Sequence, residues 1–262
     1  MTVLPKPLEH NLIAQRFGKA RDSYFAAARL QQQVALDALA FLPTTNQGHL
    51  LDLGCGPGWL HPRFSDYCQG FTAVDLSLNM LEKAAELALA DSYLQADAAS
   101  LPLADSSIDA VFSSLMLQWC RQPSQVMAEI QRILTKQGQL VISTLVQGSL
   151  DELRQAFATL DDASHVNSFL PAEQLIAQCQ QLTGINWQFK QGNYPLYYDD
   201  VISLARELKA LGANQVVGNK RLGLTGKHYW QQLGHAYEQH RTALGLKASY
   251  QVLFIYGQKH EQ

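Results

Sequence analysis

The chain alternates between short, mostly apolar runs and longer stretches in which apolar residues recur every three or four positions. The short runs predict strands at residues 49–54, 71–75, 93–97, 108–114 and 138–144. The second pattern predicts helices at residues 11–41, 58–67, 79–89 and 124–134. Strands that alternate with helices indicate a doubly wound α/β fold, in which helices cover both faces of a parallel sheet.

The pattern changes after Gly148. Helices are predicted at residues 150–160, 172–182, 201–211 and 228–244, and strands at residues 186–198 and 250–256. The residues between these last two strands have no place in the sheet, so we expect a small helical cap over its ligand-binding edge. The predicted units are an N-terminal helical segment covering the ligand site (1–44), a core (45–198), the cap (199–248) and the final strand with the C-terminus (249–262).

Composition narrows the functions open to such a fold. The chain has 262 residues, 47% of them hydrophobic, and a formal net charge of -3, which gives no overall attraction to nucleic acid or to an anionic membrane. The cysteines are widely spaced and show no zinc-ligand spacing, so neither a disulfide framework nor a metal site is predicted. The N-terminus lacks the apolar region of a signal peptide, and no apolar run is long enough to span a bilayer. We therefore expect a soluble, cytoplasmic protein that binds neither nucleic acid nor membrane. The sequence does not determine the oligomeric state, for which a monomer is the working expectation.

A glycine-rich turn follows the first predicted strand. It reads D-L-G-C-G-P-G and contains Asp52, Gly54, Cys55, Gly56 and Gly58. Glycine lets a ligand approach the backbone closely, but the order G-x-G-x-G differs from the G-x-G-x-x-G of dinucleotide sites. A carboxylate at position 52 disfavours a phosphate and suits the ammonium group of S-adenosylmethionine. A glycine turn without a ligand is the competing interpretation.

The turn resembles motif I of the class I S-adenosylmethionine-dependent methyltransferases, which have a Rossmann-like fold. This resemblance implies a mainly parallel seven-stranded sheet with an antiparallel last strand. Asp75, with Leu76 after it, ends the second strand and can accept hydrogen bonds from both ribose hydroxyls. By the same resemblance, Asp97 and Ala98 would meet the adenine. The stretch that begins with Ser114 and Leu115 would lie against the sulfonium end.

Competing structural roles exist for several of these residues. Asp75 and Asp97 could instead cap the segments that follow their strands, and Trp119 could belong to the core.

Segments outside the turn narrow the family further. They are F-G-K-A-R-D-S-Y (17–24), L-Q-W-C (117–120), T-L-V-Q-G-S-L (144–150), F-L-P (169–171) and L-K-A-L-G-A (208–213). Together with the last strand they resemble the malonyl-[acyl-carrier protein] O-methyltransferases of biotin biosynthesis, over roughly residues 10–258. The resemblance implies methylation of the free carboxylate of a malonyl thioester carried on acyl-carrier protein. The resulting ester hides a charge that an apolar acyl pocket would reject.

Such a reaction needs few catalytic groups. A carboxylate is already a nucleophile at neutral pH, so no general base is required, and positioning should dominate catalysis. Arg206 is the leading candidate to hold the malonyl carboxylate and Arg154 a weaker one, although Arg206 could also be an exposed arginine on an amphipathic helix. Gln118 could face the reacting groups. Phe17 and Tyr24 are expected to close over the cofactor, with core packing as the alternative for Phe17.

The predicted cap carries a group of basic residues. They are Lys209, Lys220, Arg221 and Lys227. Because acyl-carrier protein is acidic, these residues could form its docking site, although a solvated charged surface is the commoner origin of such a group. The sequence does not distinguish acyl-carrier protein from coenzyme A as the carrier.

Three other functions compete with this one. A class I methyltransferase could act on another small acid, a phenol or a quinone-like carbon. A nicotinamide-dependent oxidoreductase is disfavoured by the glycine spacing and by the absence of a Tyr-x-x-x-Lys or histidine-based hydride site. A non-catalytic protein could keep the fold without cofactor affinity.

Overall fold

The computed structural model describes residues 28–44, 48–211 and 226–260. The α-helices in these ranges are α1 (Arg29–Leu39), α2 (Leu78–Ala85), α3 (Pro123–Ile133), α4 (Asp151–Ala158), α5 (Ala172–Gln180), α6 (Val201–Ala210) and α7 (Lys227–Tyr237). The strands are β1 (His49–Leu53), β2 (Gly70–Asp75), β3 (Ser92–Gln95), β4 (Ile108–Ser114), β5 (Leu134–Leu145), β6 (Ile185–Tyr198), β7 (Arg241–Thr242) and β8 (Gly245–Lys259). Short 3-10 helices span His61–Asp66, Leu117–Trp119 and Glu238–His240.

The strands form one sheet in the order β3-β2-β1-β4-β5-β8-β6, and β7 pairs with β8 beside this path. β1 to β5 pair with one another in parallel, whereas β8 is antiparallel to both β5 and β6. The predicted doubly wound sheet with an antiparallel last strand is therefore confirmed, with the two-residue β7 as an addition. The order reverses at β1, which lies between β2 and β4, and ligands of such sheets bind at the carboxyl ends of the strands beside this point.

Apolar side chains cover both faces of the sheet. On one face, Phe64 makes edge contacts with Phe71 and Phe112 at ring-centre distances of 5.2 and 5.7 Å. On the other face, α3 buries residues at helical spacing, namely Val126, Met127, Ile130 and Ile133. Burial on both faces explains why the central strands are continuously apolar in sequence.

Two predicted helices differ most from the structure. The helix predicted at 79–89 also ends early, at Ala85, and residues 11–27 of the helix predicted at 11–41 lie outside the described residues. Residues 58–67 were predicted as a helix, but only a 3-10 helix at His61–Asp66 forms, because Gly58 has φ +75° and Pro62 follows at the first turn. The helix predicted at 228–244 ends at Tyr237. The 3-10 helix Glu238–His240, β7 and a turn at residues 243–244 follow it. β8 then begins at Gly245, which has φ +119° and lies five residues before the predicted position 250.

The segment between β6 and β8 provides α6 and α7. α7 packs against both α4 and α6, so the described helices of this segment rest on the carboxyl edge of the sheet. The division into four units at 44, 198 and 248 stays a prediction. Within residues 28–44, 48–211 and 226–260, no helix combines the length and apolar character needed to cross a membrane.

Candidate functional site

The glycine-rich turn after β1 has a backbone that favours glycine. Gly54, Gly56 and Gly58 have φ values of +77°, +55° and +75°. The amides of Gly54 and Cys55 both donate to the carbonyl oxygen of Val74, at 2.7 and 3.0 Å, and this fixes the turn to the end of β2. A Cβ added to Gly54 would lie 2.4 Å from Cγ of Met116, whereas one added to Gly56 would meet nothing within 4 Å. Gly56 therefore borders open space that a ligand can occupy.

Asp75 lies opposite this turn, at the end of β2. Its Oδ2 accepts a hydrogen bond from the Gly56 amide at 2.9 Å, and its Oδ1 accepts one from the Ser77 amide at 2.8 Å. Burial raises the pKa of Asp75 to about 6, although both hydrogen bonds lower it. Because a carboxylate oxygen can accept more than one hydrogen bond, Asp75 can also accept from ligand hydroxyl groups.

Asp52 is buried and pairs with His61. Its carboxylate is 4% exposed and its Oδ2 lies 3.2 Å from Nε2 of His61, which is itself buried. Burial raises the pKa of Asp52, and the hydrogen bond and charge of His61 oppose that rise. A Cβ on Gly58 would lie 2.7 Å from the His61 ring. Asp52 and Gly58 therefore pack against His61 behind the turn, and neither lines the narrow cavity beside it. The contact of Asp52 with a ligand ammonium stays a prediction.

Cys55 also lies behind the turn. Its thiol donates to the carbonyl oxygen of Gly56 at 3.4 Å, and burial raises the pKa of the thiol well above its usual value. A protonated, buried thiol of this kind is a packing group and a poor nucleophile.

A narrow cavity of about 110 Å³ lies between the turn and the ends of β2 to β4. The members of the predicted cofactor set that line it are Gly54, Gly56, Asp75, Leu76, Asp97, Ala98, Ser114 and Leu115. Residues that the sequence did not single out also line it, namely Leu53, Val74, Ser77, Met80, Ala96, Met116 and Cys120. Most of these flank the predicted positions along the chain, and that adjacency is the signal that could have found them.

The carboxyl end of β4 shapes the far wall of this cavity. Leu115 adopts a φ of +52°, uncommon for a residue with a side chain, and its amide donates to the Ser143 carbonyl oxygen at 2.9 Å. The hydroxyl groups of Ser114 and Ser143 lie 3.0 Å apart. β5 therefore holds the backbone of Leu115 in a strained conformation at the cavity wall, as is frequent at functional sites.

A second, larger cavity of about 540 Å³ adjoins the first. Leu115 and Trp119 line both. Its walls are mostly apolar and come from α1, α4, α6 and α7, with Leu153, Leu204 and Leu233 as examples. The two cavities therefore lie on either side of a wall to which Leu115 and Trp119 contribute.

Two predicted polar residues line the larger cavity. Gln118 is fixed through both ends of its amide, because Nε2 donates to the Leu115 carbonyl oxygen at 2.6 Å and Oε1 accepts from Thr144 Oγ1 at 3.0 Å. Arg206 lies on α6 at the wall, in an exposed position. Its positive charge is one of the causes that lower the pKa of Asp200, after the hydrogen bonds from Ser203.

The remaining predicted residues lie elsewhere. The Nη2 atom of Arg154 donates to the carbonyl oxygens of Ser149 and Asn167, at 3.4 Å each, and Nε donates to Asp151 at 3.3 Å. Arg154 thus holds the segment after β5 and does not line the larger cavity as a carboxylate ligand would. Lys209 lines that cavity, and Lys227 begins α7. The other predicted positions lie outside the described residues, namely Phe17, Tyr24, Lys220 and Arg221.

The narrow cavity carries groups of the kinds that contact nucleosides. Gly56 leaves open space at the backbone, Asp75 offers acceptors for ribose hydroxyls, and apolar side chains such as Leu76 and Met116 can flank a flat base. Within the described ranges, no cluster of three histidine, cysteine, aspartate or glutamate side chains could bind a metal ion.

Comparisons with known proteins agree with this geometry. A family model described as a methyltransferase domain matches residues 51–142, which include the end of β1, the turn, β2 to β4 and most of β5. The malonyl-[acyl-carrier protein] O-methyltransferase of Erwinia billingiae is 37% identical over 253 residues, which are 95% of this chain and 97% of that protein. The biotin biosynthesis bifunctional protein BioHC of Cellvibrio japonicus is 36% identical over 254 residues, 96% of this chain, and the chain spans 51% of its length.

The fold is also similar to that of solved structures. The YcgJ protein from Bacillus subtilis superimposes with a TM-score of 0.60 and 21% sequence identity, over 88% of this chain and 99% of that one. At this identity the likeness supports the fold alone.

Proposed function

Because the chain belongs to the malonyl-[acyl-carrier protein] O-methyltransferase family, we propose that it methylates the free carboxylate of malonyl-acyl-carrier protein. The methyl donor of the family is S-adenosylmethionine, and the products would be S-adenosylhomocysteine and the malonyl methyl ester. The ester would enter the early, pimeloyl-forming part of biotin synthesis.

The observation that supports this proposal most is that Leu115 and Trp119 line both cavities. The narrow cavity carries the acceptors for a nucleoside, and the larger cavity is wide, apolar and open to an acyl group. Transfer of a methyl group requires donor and acceptor to meet in line at near-attack distance, and the shared wall provides one meeting point.

Cofactor binding would rest on the edge of the sheet. We assign the ribose hydroxyls to Asp75, the adenine to the side of the cavity formed by Asp97 and Ala98, and the methionine end to Ser114 and Leu115. S-adenosylmethionine supplies the methyl group as a sulfonium, whose positive charge is lost when the group is transferred. Gly56 keeps the backbone clear of the ligand, since its position has open space and a positive φ.

The acceptor needs orientation more than activation. A malonyl carboxylate is ionised at neutral pH, so the protein has no proton to remove. Arg206 would bind the carboxylate as a charge-assisted hydrogen-bond donor in a largely apolar cavity, where such a bond is stronger than in water. Gln118, fixed at both ends of its amide, would shape the wall beside the reacting groups.

The partner and setting belong to the same proposal. Acyl-carrier protein would dock at the basic residues of the cap, of which Lys209 already lies at the larger cavity. The N-terminal segment, including Phe17 and Tyr24, would cover the cofactor. A cytoplasmic monomer without nucleic-acid or membrane partners is what the composition favours.

Mass analysis tests the proposal directly. The purified chain is incubated with S-adenosylmethionine and malonyl-acyl-carrier protein, and acetyl-acyl-carrier protein serves as a control that lacks only the carboxylate. We expect one added methyl group on the malonyl carrier and none on the acetyl carrier. Malonyl-coenzyme A, a small free acid and a phenol are tested in parallel. Turnover of the acid or the phenol without turnover of either malonyl thioester would refute the malonyl assignment and support the alternative acceptors.

A further inference from the structure

An acidic side chain lies in the wall of the cavity that would hold the acidic substrate. Glu207 follows Arg206 on α6, lines the larger cavity and has a side chain that is 14% exposed. A carboxylate in this place would repel a malonyl carboxylate and would weaken the attraction of Arg206. Binding of an anionic substrate here therefore requires a positive charge that compensates the charge of Glu207.

Arg29 provides that compensation from a distant part of the chain. Its Nη2 and Nε atoms donate to Oε2 of Glu207 at 2.6 and 3.1 Å, across 178 residues of sequence. Tyr198 donates to the other oxygen, Oε1, at 3.0 Å. Both carboxylate oxygens are thus occupied, and the pair carries no net charge.

The tyrosines on β6 and β8 keep this arrangement in one orientation. The guanidinium of Arg29 lies 5.0 Å from the ring centre of Tyr198, within reach of a cation–π contact. Burial raises the pKa of Tyr198, and burial likewise raises the pKa of Tyr250, which hydrogen-bonds to Tyr198 and lines the same cavity. Both phenols therefore stay protonated at neutral pH, and Tyr198 remains a donor to Glu207.

We infer that Arg29 is a specificity-determining positioning residue, which neutralises Glu207 so that the cavity accepts an anionic acyl group beside Arg206. This inference rests on the proposed function, because it assigns the anionic acyl group to the larger cavity. The competing role is mechanical, since the same ion pair joins α1 to α6. The two roles differ in one respect: neutralisation affects only charged ligands, whereas a mechanical role affects charged and neutral ligands alike.

The experiment compares a charged with an uncharged acyl end in the full chain. For Arg29→Gln, KM is measured with malonyl-acyl-carrier protein, and the inhibition constant is measured with the malonyl methyl ester on the same carrier. We expect KM to rise about three- to tenfold with kcat within about twofold, since the Arg29 side chain is 48% exposed and solvent screens part of the effect of its charge. The inhibition constant of the neutral ester should stay within about twofold of the wild-type value.

Three further variants complete the test. Arg29→Gln combined with Glu207→Gln removes both charges and should restore KM to near the wild-type value. Arg29→Lys keeps the charge and should resemble the wild type even if Arg29→Gln folds poorly. Arg241→Gln removes the same type of charge from the ion pair with Glu238, away from the larger cavity, and should leave KM unchanged.

Each outcome decides the matter. Equal losses for the charged and neutral ligands, an unchanged KM in Arg29→Gln, or no rescue in the double variant would overturn the inference while the proposed function stands. A wild-type chain that methylates no malonyl thioester would refute the proposed function and this inference together.

Discussion

Replacement of Asp75 by Asn probes the carboxylate assigned to the ribose. The side chain keeps its size but loses its charge, and Asn can accept with only one of the two atoms that now receive backbone hydrogen bonds. Either the Gly56 amide or the Ser77 amide would then face an NH₂ group.

Two effects on stability oppose each other. The folded pKa of Asp75 is about 6 against an ordinary value of 3.8, so folding disfavours the carboxylate form. The contribution of this group to stability is therefore full below about pH 4 and is lost as pH rises through about 6, which costs about 3 kcal/mol at pH 7.5. Asp75→Asn removes this cost and so raises the free energy of unfolding. The backbone amide that loses its acceptor lowers it again by roughly 1–3 kcal/mol. We expect the free energy of unfolding to stay within about 2 kcal/mol of the wild type.

The effect on cofactor affinity has no such offset. A hydrogen bond to a charged acceptor contributes about 1.5–3 kcal/mol, so the dissociation constant for S-adenosylhomocysteine should rise roughly 10- to 100-fold. In the wild type, affinity should also fall as pH drops through about 6, because the protonated carboxyl accepts hydroxyl hydrogen bonds poorly.

Titration calorimetry at pH 7.5 and pH 5.5 measures both effects, and thermal unfolding of the same samples reports stability. Asp66→Asn, a change at an exposed aspartate in the 3-10 helix, serves as the control. Wild-type affinity in Asp75→Asn, with no dependence on pH between these values, would show that Asp75 does not bind the ribose.

Three further predictions concern the acceptor site and the turn. Arg206→Ala should raise KM for malonyl-acyl-carrier protein about 10- to 100-fold and leave the cofactor dissociation constant unchanged. Steady-state kinetics measures the first value and calorimetry the second, and a wild-type KM would show that Arg206 does not bind the carboxylate. His61→Ala leaves the buried Asp52 carboxylate without its partner and should lower the free energy of unfolding by roughly 3–5 kcal/mol in denaturant titration; a loss below about 1 kcal/mol would contradict the assigned pairing. Gly54→Ala should destabilise the fold, because the added Cβ would lie 2.4 Å from Cγ of Met116. Gly56→Ala should lower the free energy of unfolding by only about 1 kcal/mol and chiefly weaken cofactor binding, since its Cβ would meet nothing within 4 Å. Thermal unfolding compares the two variants, and equal decreases in Tm would contradict this prediction.

The central sheet could be predicted from sequence because its strands are buried on both faces. β4 has the same bounds as predicted, and α3 differs by one residue at each end, since its apolar residues have clear helical spacing. β7 has only two residues and carries no pattern that could predict it. The end of α7 could not be placed either, because the 3-10 helix Glu238–His240 and the two-residue β7 follow it within the predicted helix.

The candidate site divides in the same way. Asp75, at the end of β2, and Asp97, two residues after β3, line the narrow cavity as expected, because parallel strands all end at one edge of the sheet. The pairing of Asp52 with His61 could not be predicted, since His61 belongs to a 3-10 helix and the sequence pattern predicts a longer α-helix there. The pairing of Arg29 with Glu207 joins residues 178 positions apart, and no local pattern reports such a contact.

The helical segment that follows β6 leaves and rejoins the sheet at a single place. Tyr198, the last residue of β6, is the register partner of Leu246 near the start of β8, and the two strands pair from there to Ile185 and Lys259. An insertion whose ends are already held together costs little loop-closure entropy when its length changes. The insert supplies α6 and α7, two of the four helices around the larger cavity, through this one attachment to the sheet. Its length can therefore change without a change in the strands that carry the narrow cavity.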